Sequence, residues 1–480
     1  MAAGSDNDFD CIVIGGGTGG YSAAFRASQL GLRTALVEQA KIGGTCLHIG
    51  CIPTKAMLES AELFARLQKA KEFGIVLAKA PELDYAQVAK RRDQVVRRMF
   101  TGLRGLVAKN RVTYVAGRGR LDGPGVLRVA LNGDDGSVGT GGERVLRARD
   151  VILATGSRVK SLPGLVPDGR RIVTSDDVTT KADLPGSIVV VGAGAVGAEF
   201  ASLYLDLGVR VTLLEYLPTI MPLEDRDVSA ELDRSFRRRG MTVVTNARFD
   251  PAAVQVTDAG VALVVGPDGG PAEEIRADQL LVATGRAANV EDIGLDTTKV
   301  EIERGFVKVD PGMRTAEPGV WAIGDLIGGL QLAHVAAHEG FVAVHNITGE
   351  PPAEEIDYDL QPRATYTRPQ VASIGLTEQQ CEARGIPIRT GSFPFLAAAK
   401  AVIVGETEGF CKVIAHAETD DILGVHLIGP HVTDLIAEGA VAMNLDGSAA
   451  EIGATTHPHP TLAEVVGEAA MAVHGRAINV

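Results

Sequence analysis

The sequence of 480 residues is poor in cysteine, in aromatic side chains and in long apolar runs. Its five cysteines are Cys11, Cys46, Cys51, Cys381 and Cys411. So few cysteines argue against a disulfide framework and are typical of a reducing compartment. No apolar run approaches the ~20 residues that a membrane-spanning helix needs, and polar, acidic residues 1–10 lack the pattern of a signal or transit peptide. We therefore expect a soluble, cytoplasmic protein.

The chain also lacks an excess of positive charge. It has 47 Lys and Arg against 60 Asp and Glu, so its formal net charge is −13. This balance argues against nucleic acid and anionic membranes as partners. Despite the negative net charge, four arginines lie close together in the sequence: Arg91, Arg92, Arg97 and Arg98. Because no aromatic residues are interleaved with them, we expect a solvated helix face there.

What is present is typical of a large globular protein. Hydrophobic residues make up 45% and charged residues 22% of the chain, and the length predicts two to four domains. The 57 glycines favour tight phosphate-binding turns over low complexity. The patterns predict two helices across residues 63–110 and a β-meander across 118–149 with a loose loop at 133–142. After residue 351 they predict antiparallel strands at 364–377, 391–395, 409–415 and 422–428, with a helix at 434–444.

Two cysteines, Cys46 and Cys51, lie five residues apart just before a helical pattern. Five residues of straight helix rise about 7.5 Å, more than the ~7 Å that a disulfide spans between Cα atoms. A pairing therefore requires a bend, which Gly50 favours. Pro53 suits a first helical turn, so Cys51 is expected at a helix N-terminus, where the dipole lowers a thiol pKa. Lys55 follows one turn later on the same face.

Three other interpretations of this pair are a structural disulfide, part of a zinc site, and two buried free thiols. The spacing disfavours zinc, whose ligands usually stand two to four residues apart and must converge in fours. The absence of a secretion signal disfavours a structural disulfide. Together with the neighbouring motifs, the pattern favours a redox-active pair.

A dinucleotide-binding fingerprint opens the chain. An apolar strand at residues 9–14 is followed by Gly15, Gly17 and Gly20, a helical pattern, and a second strand that ends in Glu38. The first glycine allows the tight turn, the second lets a pyrophosphate approach the backbone, and the third permits close packing of helix on strand. An acid after the second strand binds a ribose diol.

The same pattern recurs after a strand at residues 187–191. Its glycines are Gly192, Gly194 and Gly197, and its second strand ends in Glu215. Two fingerprints predict two dinucleotides, FAD and a nicotinamide nucleotide. Glu215 favours NAD over NADP, because a carboxylate binds the ribose diol but repels a 2′-phosphate.

Residues 43–55, Gly-Gly-Thr-Cys-Leu-His-Ile-Gly-Cys-Ile-Pro-Thr-Lys, resemble the redox signature of the class I flavoprotein (pyridine nucleotide-disulfide) oxidoreductases. The ending Cys-Ile-Pro-Thr-Lys is most similar to the dihydrolipoamide dehydrogenase branch. His48, Ile49 and Thr54 depart from that branch's commoner residues. The resemblance, which covers essentially the whole chain, implies an α/β fold with two Rossmann-like domains, for FAD and NAD, and a C-terminal α+β dimerisation domain. The implied domains are 1–155 (FAD, first part), 156–283 (NAD), 284–350 (FAD/central, second part) and 351–480 (interface).

The family order assigns FAD to the first fingerprint and NAD to the second. Residues 320–325 resemble the family's second flavin motif, which implies that Asp325 binds the FAD ribityl chain. The helix predicted from Ala333 would direct its N-terminus at the flavin ring. Two related stretches, 151–157 and 280–286, resemble the crossings between the FAD and NAD domains. They contribute Thr155 and Gly156 to the expected FAD site and Gly285 to the expected NAD site.

The catalytic roles also come from the resemblance. The His-Pro-Thr-x-x-Glu pattern implies that His459 is the acid–base residue and that Glu464 orients it. Cys46 is the outer interchange thiol and Cys51 the inner one that faces the flavin. Lys55 is expected to pair with Glu199 near the flavin ring. We expect no metal site, and we interpret the histidines of the helix after residue 333 as packing or surface residues: His334, His338 and His345.

The implied activity is oxidation of dihydrolipoamide to lipoamide with NAD. The family forms homodimers in which the C-terminal domain of one subunit completes the active site of the other. Implied partners are the lipoyl-bearing proteins of 2-oxo-acid dehydrogenase or glycine-cleavage complexes. The alternative is a related NAD(P)H-dependent disulfide or quinone reductase of the same fold. Glu215 opposes the NADP-dependent glutathione type, and the two redox cysteines oppose the quinone type. A non-catalytic scaffold is disfavoured because all the catalytic motifs are retained.

Overall fold

The computed structural model describes residues 7–349 and 355–479. Contacts divide the chain into two compact units, each assembled from three segments. Unit 1 comprises the described parts of Met1–Ala56, Lys90–Lys160 and Arg286–Ile356. Unit 2 comprises those of Met57–Ala89, Ser161–Gly285 and Asp357–Val480.

Helices and strands alternate along much of the chain. The α-helices are α1 (Thr18–Gln29), α2 (Gly44–His48), α3 (Cys51–Leu67), α4 (Tyr85–Lys109), α5 (Ser175–Val178), α6 (Ala195–Asp206), α7 (Arg226–Arg238), α8 (Ala333–Thr348), α9 (Glu378–Arg384), α10 (Ala399–Val404), α11 (Val432–Asn444), α12 (Ala449–Ala454) and α13 (Glu464–Ala472). The strands are β1 (Asp8–Ile14), β2 (Thr34–Glu38), β3 (Thr113–Leu121), β4 (Val126–Leu131), β5 (Glu143–Leu153), β6 (Ser157–Val159), β7 (Ile172–Thr174), β8 (Ser187–Val191), β9 (Arg210–Leu214), β10 (Thr242–Val244), β11 (Ala247–Arg248), β12 (Gln255–Thr257), β13 (Gly260–Pro267), β14 (Glu273–Ala277), β15 (Gln279–Val282), β16 (Arg286–Ala288), β17 (Ile302–Glu303), β18 (Phe306–Val307), β19 (Val320–Ala322), β20 (Arg363–Thr365), β21 (Gln370–Gly375), β22 (Ile388–Pro394), β23 (Phe410–His416) and β24 (Ile422–Gly429). None of the helices in the described ranges combines the length and the apolarity that crossing a bilayer demands.

Unit 1 contains a parallel sheet in which β1 lies between β2 and β5, and β19 pairs with the other edge of β5. Strands β1, β2 and β19 and the last four residues of β5 are largely buried, which explains their mostly apolar sequences. Strands β3, β4 and β5 form the predicted antiparallel meander, with β3 also pairing parallel to β2. Helices α1 and α8 pack closely, because Gly19 of α1 meets the backbone of Ala336.

Unit 2 contains a second parallel sheet, in the order β10-β9-β8-β15-β7. All five residues of β8 are buried, and α6 follows it in the second βαβ arrangement. A smaller antiparallel sheet of β11, β12, β13 and β14 lies within the same segment of the chain. The two fingerprints therefore fold as two Rossmann-like arrangements, as the sequence predicts.

The last segment of unit 2 is built differently. Its five strands are antiparallel, in the order β20-β21-β24-β23-β22. Helix α11 packs on β21 and β24, and α13 packs on β22 and β23. The strand and helix predictions after residue 351 are confirmed for the described residues with boundaries shifted by a few residues, except that the range 364–377 holds two strands, β20 and β21, separated by residues 366–369.

Two helices, α3 and α4, cover most of residues 63–110 as predicted, and Arg91, Arg97 and Arg98 are exposed as expected, but two details differ. The first helix ends at Leu67, and residues 74–84 form no regular element before the 25-residue helix α4. Gly74, with φ of 73°, and Pro81 lie in this interval and disfavour helix. Arg92 is buried rather than on a solvated face, because it lies three residues after buried Ala89 on the inner stripe of α4.

Candidate active site

Cys46 and Cys51, the predicted redox pair, lie on either side of a sharp bend. Cys46 is carried by the short helix α2, and Cys51 is the first residue of α3. The bend occurs at Gly50, as the sequence predicts. A Cβ at Gly50 would stand 2.9 Å from Thr45 O and 3.2 Å from Cys46 Cα, so glycine permits close approach of the two segments.

The sulfur of Cys46 lies at the N-terminus of α3. It accepts hydrogen bonds from the thiol and the backbone N–H of Cys51. The Cys51 thiol is the largest cause of a pKa lowered from 9.0 to about 7; partial burial opposes it, while the Thr18 hydroxyl and the Lys55 charge assist it. The sequence predicts this helix effect for Cys51. The structure adds Cys46 as a recipient, because the bend returns its sulfur to the same helix end.

The remaining three cysteines are buried, and burial is the largest cause of a raised pKa for each thiol. At neutral pH they are protonated and poorly nucleophilic. Thiol chemistry in this chain is therefore concentrated at Cys46 and Cys51.

The first fingerprint forms a tight turn between β1 and α1. Gly15 has a φ of 107°, and a Cβ at Gly20 would overlap the carbonyl oxygen of Gly15. Glu38 Oε2 accepts a 2.6 Å hydrogen bond from Gly16 N–H, and its Oε1 accepts one from Ala40 N–H at 2.7 Å. The acid therefore lies beside the glycine turn, as the fingerprint predicts.

The second fingerprint repeats this geometry between β8 and α6. Gly192 has a φ of 97°, and a Cβ at Gly197 would overlap the carbonyl oxygen of Gly192. Glu215 accepts hydrogen bonds from Ala193 N–H at 2.7 Å and from Leu217 N–H at 2.8 Å. Glu215 and Glu38 therefore occupy equivalent positions in their two turns.

Both turns have room for a pyrophosphate. A Cβ placed on Gly17 or on Gly194 would meet no atom within 4 Å, so this face of each loop is open. Each of these glycines is the N-cap of the following helix, α1 or α6, whose N-terminal N–H groups and dipole favour an anion. The residues present thus fit dinucleotide binding at both turns.

Asp325 lies in a short 3-10 helix after β19, Gly324–Ile327, and its carboxylate is held by two side chains. Ser157 donates its hydroxyl to Asp325 Oδ2, and Arg286 Nε is 3.5 Å from the same oxygen. Arg286 also donates to Ser157 Oγ at 2.6 Å. The backbone N–H of Gly324 donates to buried Glu339 at 2.6 Å, which fixes the turn against α8.

The remaining expected cofactor residues lie at turns and helix ends. Thr155 exchanges hydrogen bonds of 2.9 Å with Asn289, and Gly156 O accepts the N–H of the same asparagine at 2.9 Å. Gly285 has a φ of 105° immediately before β16. Ala333 is the first residue of α8, as predicted.

His459 and Glu464 form a hydrogen-bonded pair in unit 2. His459 Nδ1 is 2.8 Å from Glu464 Oε1, and Thr461 N–H donates to Glu464 Oε2 at 2.9 Å. Burial alone would raise the pKa of Glu464, but the hydrogen bonds from His459 and Thr461 outweigh it and hold that pKa below its ordinary value. The pair leaves Nε2 of an exposed imidazole for proton transfer.

The expected partners Lys55 and Glu199 belong to different units. The charge of Lys55 acts on Cys46, and buried Glu199 accepts the backbone N–H of Tyr366 at 2.9 Å. Their pairing with each other, and the approach of His459 to the cysteines, stay predictions. Among the residues that the structure describes, no group of three or more His, Cys, Asp or Glu side chains could hold a metal ion.

Sequence reasoning missed Thr18, Ser157, Arg286 and Asn289. Ser157 and Arg286 each follow an Ala-Thr-Gly triplet, at residues 154–156 and 283–285, so the repeated triplet was an available signal. Thr18 follows the second fingerprint glycine, but nothing local indicates that its hydroxyl reaches a cysteine. Asn289 carries no recognisable motif.

A close dithiol at a helix N-terminus, two dinucleotide-binding turns and a histidine–carboxylate pair define a class: nucleotide-dependent oxidoreductases that act through thiols. Residues 9–340 match the family described as pyridine nucleotide-disulphide oxidoreductase, and residues 361–470 match its dimerisation domain. The chain belongs to this family. It is an oxidoreductase with FAD and NAD as cofactors.

The similarity extends over nearly the whole chain. A dihydrolipoyl dehydrogenase of Bacillus subtilis is 44% identical, covering 98% of this chain and 99% of that protein. One of Zymomonas mobilis is 41% identical with the same coverage. The crystal structure of LpdA from Mycobacterium tuberculosis is similar with a TM-score of 0.87 and 30% identity, covering 96% of this chain and 99% of that one.

Proposed function

We propose that this protein oxidises dihydrolipoamide groups, carried on lipoyl proteins, to lipoamide with NAD as the electron acceptor. The observation that carries the proposal is the Cys46–Cys51 pair, in which a thiol of lowered pKa accepts hydrogen bonds from its partner. Such a pair suits exchange with a small dithiol. The two bacterial relatives described above are dihydrolipoyl dehydrogenases, which supports this substrate over others.

Each cofactor is assigned to one of the two glycine turns. FAD would be held by residues of the first turn and of the flavin motif: Gly15, Gly17, Gly20, Glu38, Lys55, Thr155, Gly156, Asp325 and Ala333. NAD would be held by the second: Gly192, Gly194, Gly197, Glu215 and Gly285. Bound FAD supplies two-electron transfer between a dithiol and a nicotinamide. We assign residues 1–155 and 284–350 to the FAD-binding part, 156–283 to the NAD-binding domain and 351–480 to the interface domain.

The thiol chemistry falls to four side chains. His459 accepts a proton from one substrate thiol while Glu464 orients the imidazole. The resulting thiolate attacks Cys46 in the Cys46–Cys51 disulfide, and Cys51 leaves as a thiolate. The second substrate thiol then gives its proton to the departing Cys46 sulfur and attacks the substrate's first sulfur in the mixed disulfide, so that Cys46 is released as a thiol. The products are the cyclic disulfide of lipoamide and the reduced cysteine pair.

The histidine requires a second subunit in this proposal. The match of residues 361–470 to the family's dimerisation domain supports a homodimer in which His459 of one copy serves the cysteines of the other. Lys55 and Glu199 would pair beside the flavin and tune its electron affinity. The partners would be lipoyl proteins of 2-oxo-acid dehydrogenase or glycine-cleavage complexes, in the cytoplasm.

The test is anaerobic mixing of the purified, FAD-loaded protein with dihydrolipoamide, followed by addition of NAD. We expect the flavin absorbance to change in the first step and NADH, followed at 340 nm, to form in the second. A protein that NADH reduces but that does not respond to dihydrolipoamide would contradict the proposed substrate. The function would then be reduction of another disulfide or of a quinone. The same protein with Cys46→Ser is the negative control for the first step.

A further inference from the structure

The loop that carries His459 is attached to the fold through a second histidine. This loop joins α12 to α13, and within residues 455–460, all of which the structure describes, every side chain is exposed except that of His457. The side chain of His457 is 10% exposed, whereas that of His459 is 72% exposed. The first imidazole therefore points into the protein and the second points out of it.

Glu438 of α11 holds the buried imidazole. His457 Nε2 is 2.7 Å from Glu438 Oε1, and because an ionised carboxylate only accepts hydrogen bonds, the imidazole is the donor. The distance is in the range of charge-assisted hydrogen bonds, which are stronger than neutral ones. Helix α11 packs on β21 and β24. The loop is thus tied at residue 457 to a helix that is fixed on the antiparallel sheet.

Helix α13 contacts the same ring. A Cβ on Gly467 would stand 2.7 Å from both Cε1 and Nδ1 of His457, so glycine leaves room for the imidazole here. Gly467 lies three residues after Glu464, on the same face of α13, and Glu464 Oε1 is 2.8 Å from His459 Nδ1. The charge of His457 is one of the causes that lower the pKa of Glu464, which agrees with this placement. His457 therefore lies beside the carboxylate that orients His459.

We propose that the His457–Glu438 pair is a positioning element for the acid–base residue, which fixes the loop so that the His459 imidazole stays aligned with Glu464 and with the substrate thiol. Glu464 holds His459 from α13, and His457 holds the segment before His459 on α11. A reacting group that is misplaced by about 1 Å loses up to about 10²-fold in rate. The inference rests on the proposed function, because it concerns the acid–base residue of that reaction.

The pair acts through His459 and touches neither the dithiol nor the cofactors in this scheme. Its loss should therefore lower the maximal rate of dithiol oxidation and leave the affinity for the dithiol unchanged. Reduction of the flavin by NADH does not use His459, so its rate is an internal reference for the integrity of the rest of the protein.

The test is reduction of the FAD-loaded protein by dihydrolipoamide in a stopped-flow instrument, with Glu438→Leu and Glu438→Gln compared. Leucine removes the acceptor, whereas glutamine keeps the shape and a carbonyl acceptor. We expect Glu438→Leu to lower the limiting rate of flavin reduction about tenfold or more, while the half-saturating dihydrolipoamide concentration stays within about twofold. Glu438→Gln should keep the limiting rate within about threefold, and both variants should keep the rate with NADH.

A second measurement needs no dithiol. Thr461 N–H donates to Glu464 Oε2 at 2.9 Å, so its hydrogen exchange reports whether the loop stays on α13. Mass spectrometry of a peptide that contains Thr461 should show exchange about tenfold faster in Glu438→Leu and unchanged in Glu438→Gln. If even the wild type fails to respond to dihydrolipoamide, the proposed substrate is refuted, and hydrogen exchange alone decides whether the pair anchors the loop.

The matched control is Glu382→Leu, which removes an exposed ion pair with Arg226 on α9 and should leave every reading unchanged. A wild-type limiting rate in Glu438→Leu, or equal losses in Glu438→Leu and Glu438→Gln, overturns the proposal. A parallel loss of the rate with NADH also overturns it. If Glu438→Leu does not fold, His457→Phe, which keeps a ring against Gly467 but has no donor, is judged by the same criteria.

Discussion

At the scale of single residues, the His459–Glu464 pair shows how a local hydrogen bond prepares a proton acceptor. Glu464 is held by Thr461 N–H and accepts from Nδ1 of the imidazole, so the ring orientation and tautomer are set by residues within the same turn. This leaves Nε2 of the exposed ring for the proton transfer that the proposed function requires. A helix that starts at the carboxylate, α13, gives this pair a rigid base.

His459→Gln should therefore separate the two half-reactions. We expect dihydrolipoamide oxidation to fall about 10²–10⁴-fold, the usual contribution of a positioned acid–base group. Reduction of the flavin by NADH should change little, because no proton transfer from the dithiol is involved. Stopped-flow absorbance measures both rates on one preparation.

The control is His416→Gln, a histidine at the end of β23 whose ring accepts only turn N–H groups. It should retain both half-reactions. Equal loss of both rates in His459→Gln would contradict the assigned role of His459.

His48 is another residue whose surroundings only the structure reveals. Its Nε2 is 2.9 Å from Ile42 O, and its ring meets Phe100 edge-on with centroids 5.1 Å apart. His48 is one of the residues that depart from the commoner redox signature. Its contacts tie α2, the helix that carries Cys46, to its surroundings.

At the scale of elements, the two fingerprint turns use their glycines for different purposes. In the second turn Gly197 is needed by the fold, since a Cβ there would overlap the backbone of Gly192. Gly194 has an ordinary φ of −70° and an open face, so its lack of a side chain matters only to a ligand. Identical residues in one motif thus carry distinct requirements.

Substitution by alanine should separate these requirements. Gly197→Ala should lower the free energy of unfolding by about 1–3 kcal/mol even without nucleotide, the usual cost of overpacking. Gly194→Ala should unfold like the wild type without nucleotide but bind NAD about tenfold or more weakly. Thermal unfolding and calorimetric titration with NAD measure the two effects. Unaltered NAD affinity in Gly194→Ala would contradict the assignment of this turn to NAD.

An ionic group around the buried side chains of Lys412 and Asp225 joins three elements of unit 2. Lys412 of β23 donates to Asp225 at 3.0 Å, Asp227 at 2.6 Å and Glu378 at 2.5 Å. Hydrogen bonding to Lys412 is the largest cause of a lowered pKa for Glu378. Burial would lower the pKa of Lys412, but the three carboxylates outweigh it and the pKa is raised.

The sign of each shift predicts the pH range in which this group stabilises the fold. Glu378 contributes stability above its unfolded pKa of about 4.3, and the contribution is lost as pH falls through the lower folded value. Lys412 contributes fully below about 10.4, and its contribution is lost as pH rises through the higher folded value. Stabilisation by this group is therefore complete between these limits.

Lys412→Met should lower the free energy of unfolding by roughly 3 kcal/mol at pH 7, because it leaves fully buried Asp225 without its cation. The loss should shrink as pH falls below 4. Urea unfolding between pH 3 and 8 measures both. Lys79→Met, which removes an exposed pair with Glu82, should cost no more than about 1 kcal/mol. Equal effects of the two variants would contradict a structural role for the buried group.

At the scale of the whole molecule, the cysteines and the histidine belong to different units of one chain. The proposed homodimer brings them together across subunits, as the match to a dimerisation domain supports. A site shared in this way is incomplete in a single copy, and the proposal can be tested without any structure of the dimer.

Mixed dimers provide this test. Cys51→Ser and His459→Gln subunits, each inactive alone, should regain activity when dissociated together and reassembled. Random association makes half of the dimers mixed, each with one intact site, so about a quarter of wild-type activity is expected. Steady-state NADH formation measures it, with each variant reassembled alone as the control. If both residues acted within one subunit, no activity would return.

Much of the fold follows from local sequence. Within each fingerprint, the glycine turn and the acid, Glu38 or Glu215, lie within about 25 residues of each other and are joined by strand and helix. Spacing alone therefore predicts their assembly. The bend at Gly50 and the pair His459–Glu464 are also local. The first of the two helices predicted across residues 63–110 ends earlier than expected, at Leu67, because Gly74 and Pro81 leave the interval before α4 without regular structure.

The chemistry available to this protein can be predicted from its sequence alone: a cysteine pair, two nucleotide turns and a histidine with its carboxylate. Which other groups act on these residues depends on the folded chain. Three observations depend on segments that are distant in the sequence. They are the effect of Thr18 on the Cys46 pKa, the contacts of Ser157 and Arg286 with Asp325, and the burial of Arg92. Such contacts depend on how whole elements pack, because a hydrogen bond requires atoms within about 3 Å and sequence separation carries no such distance.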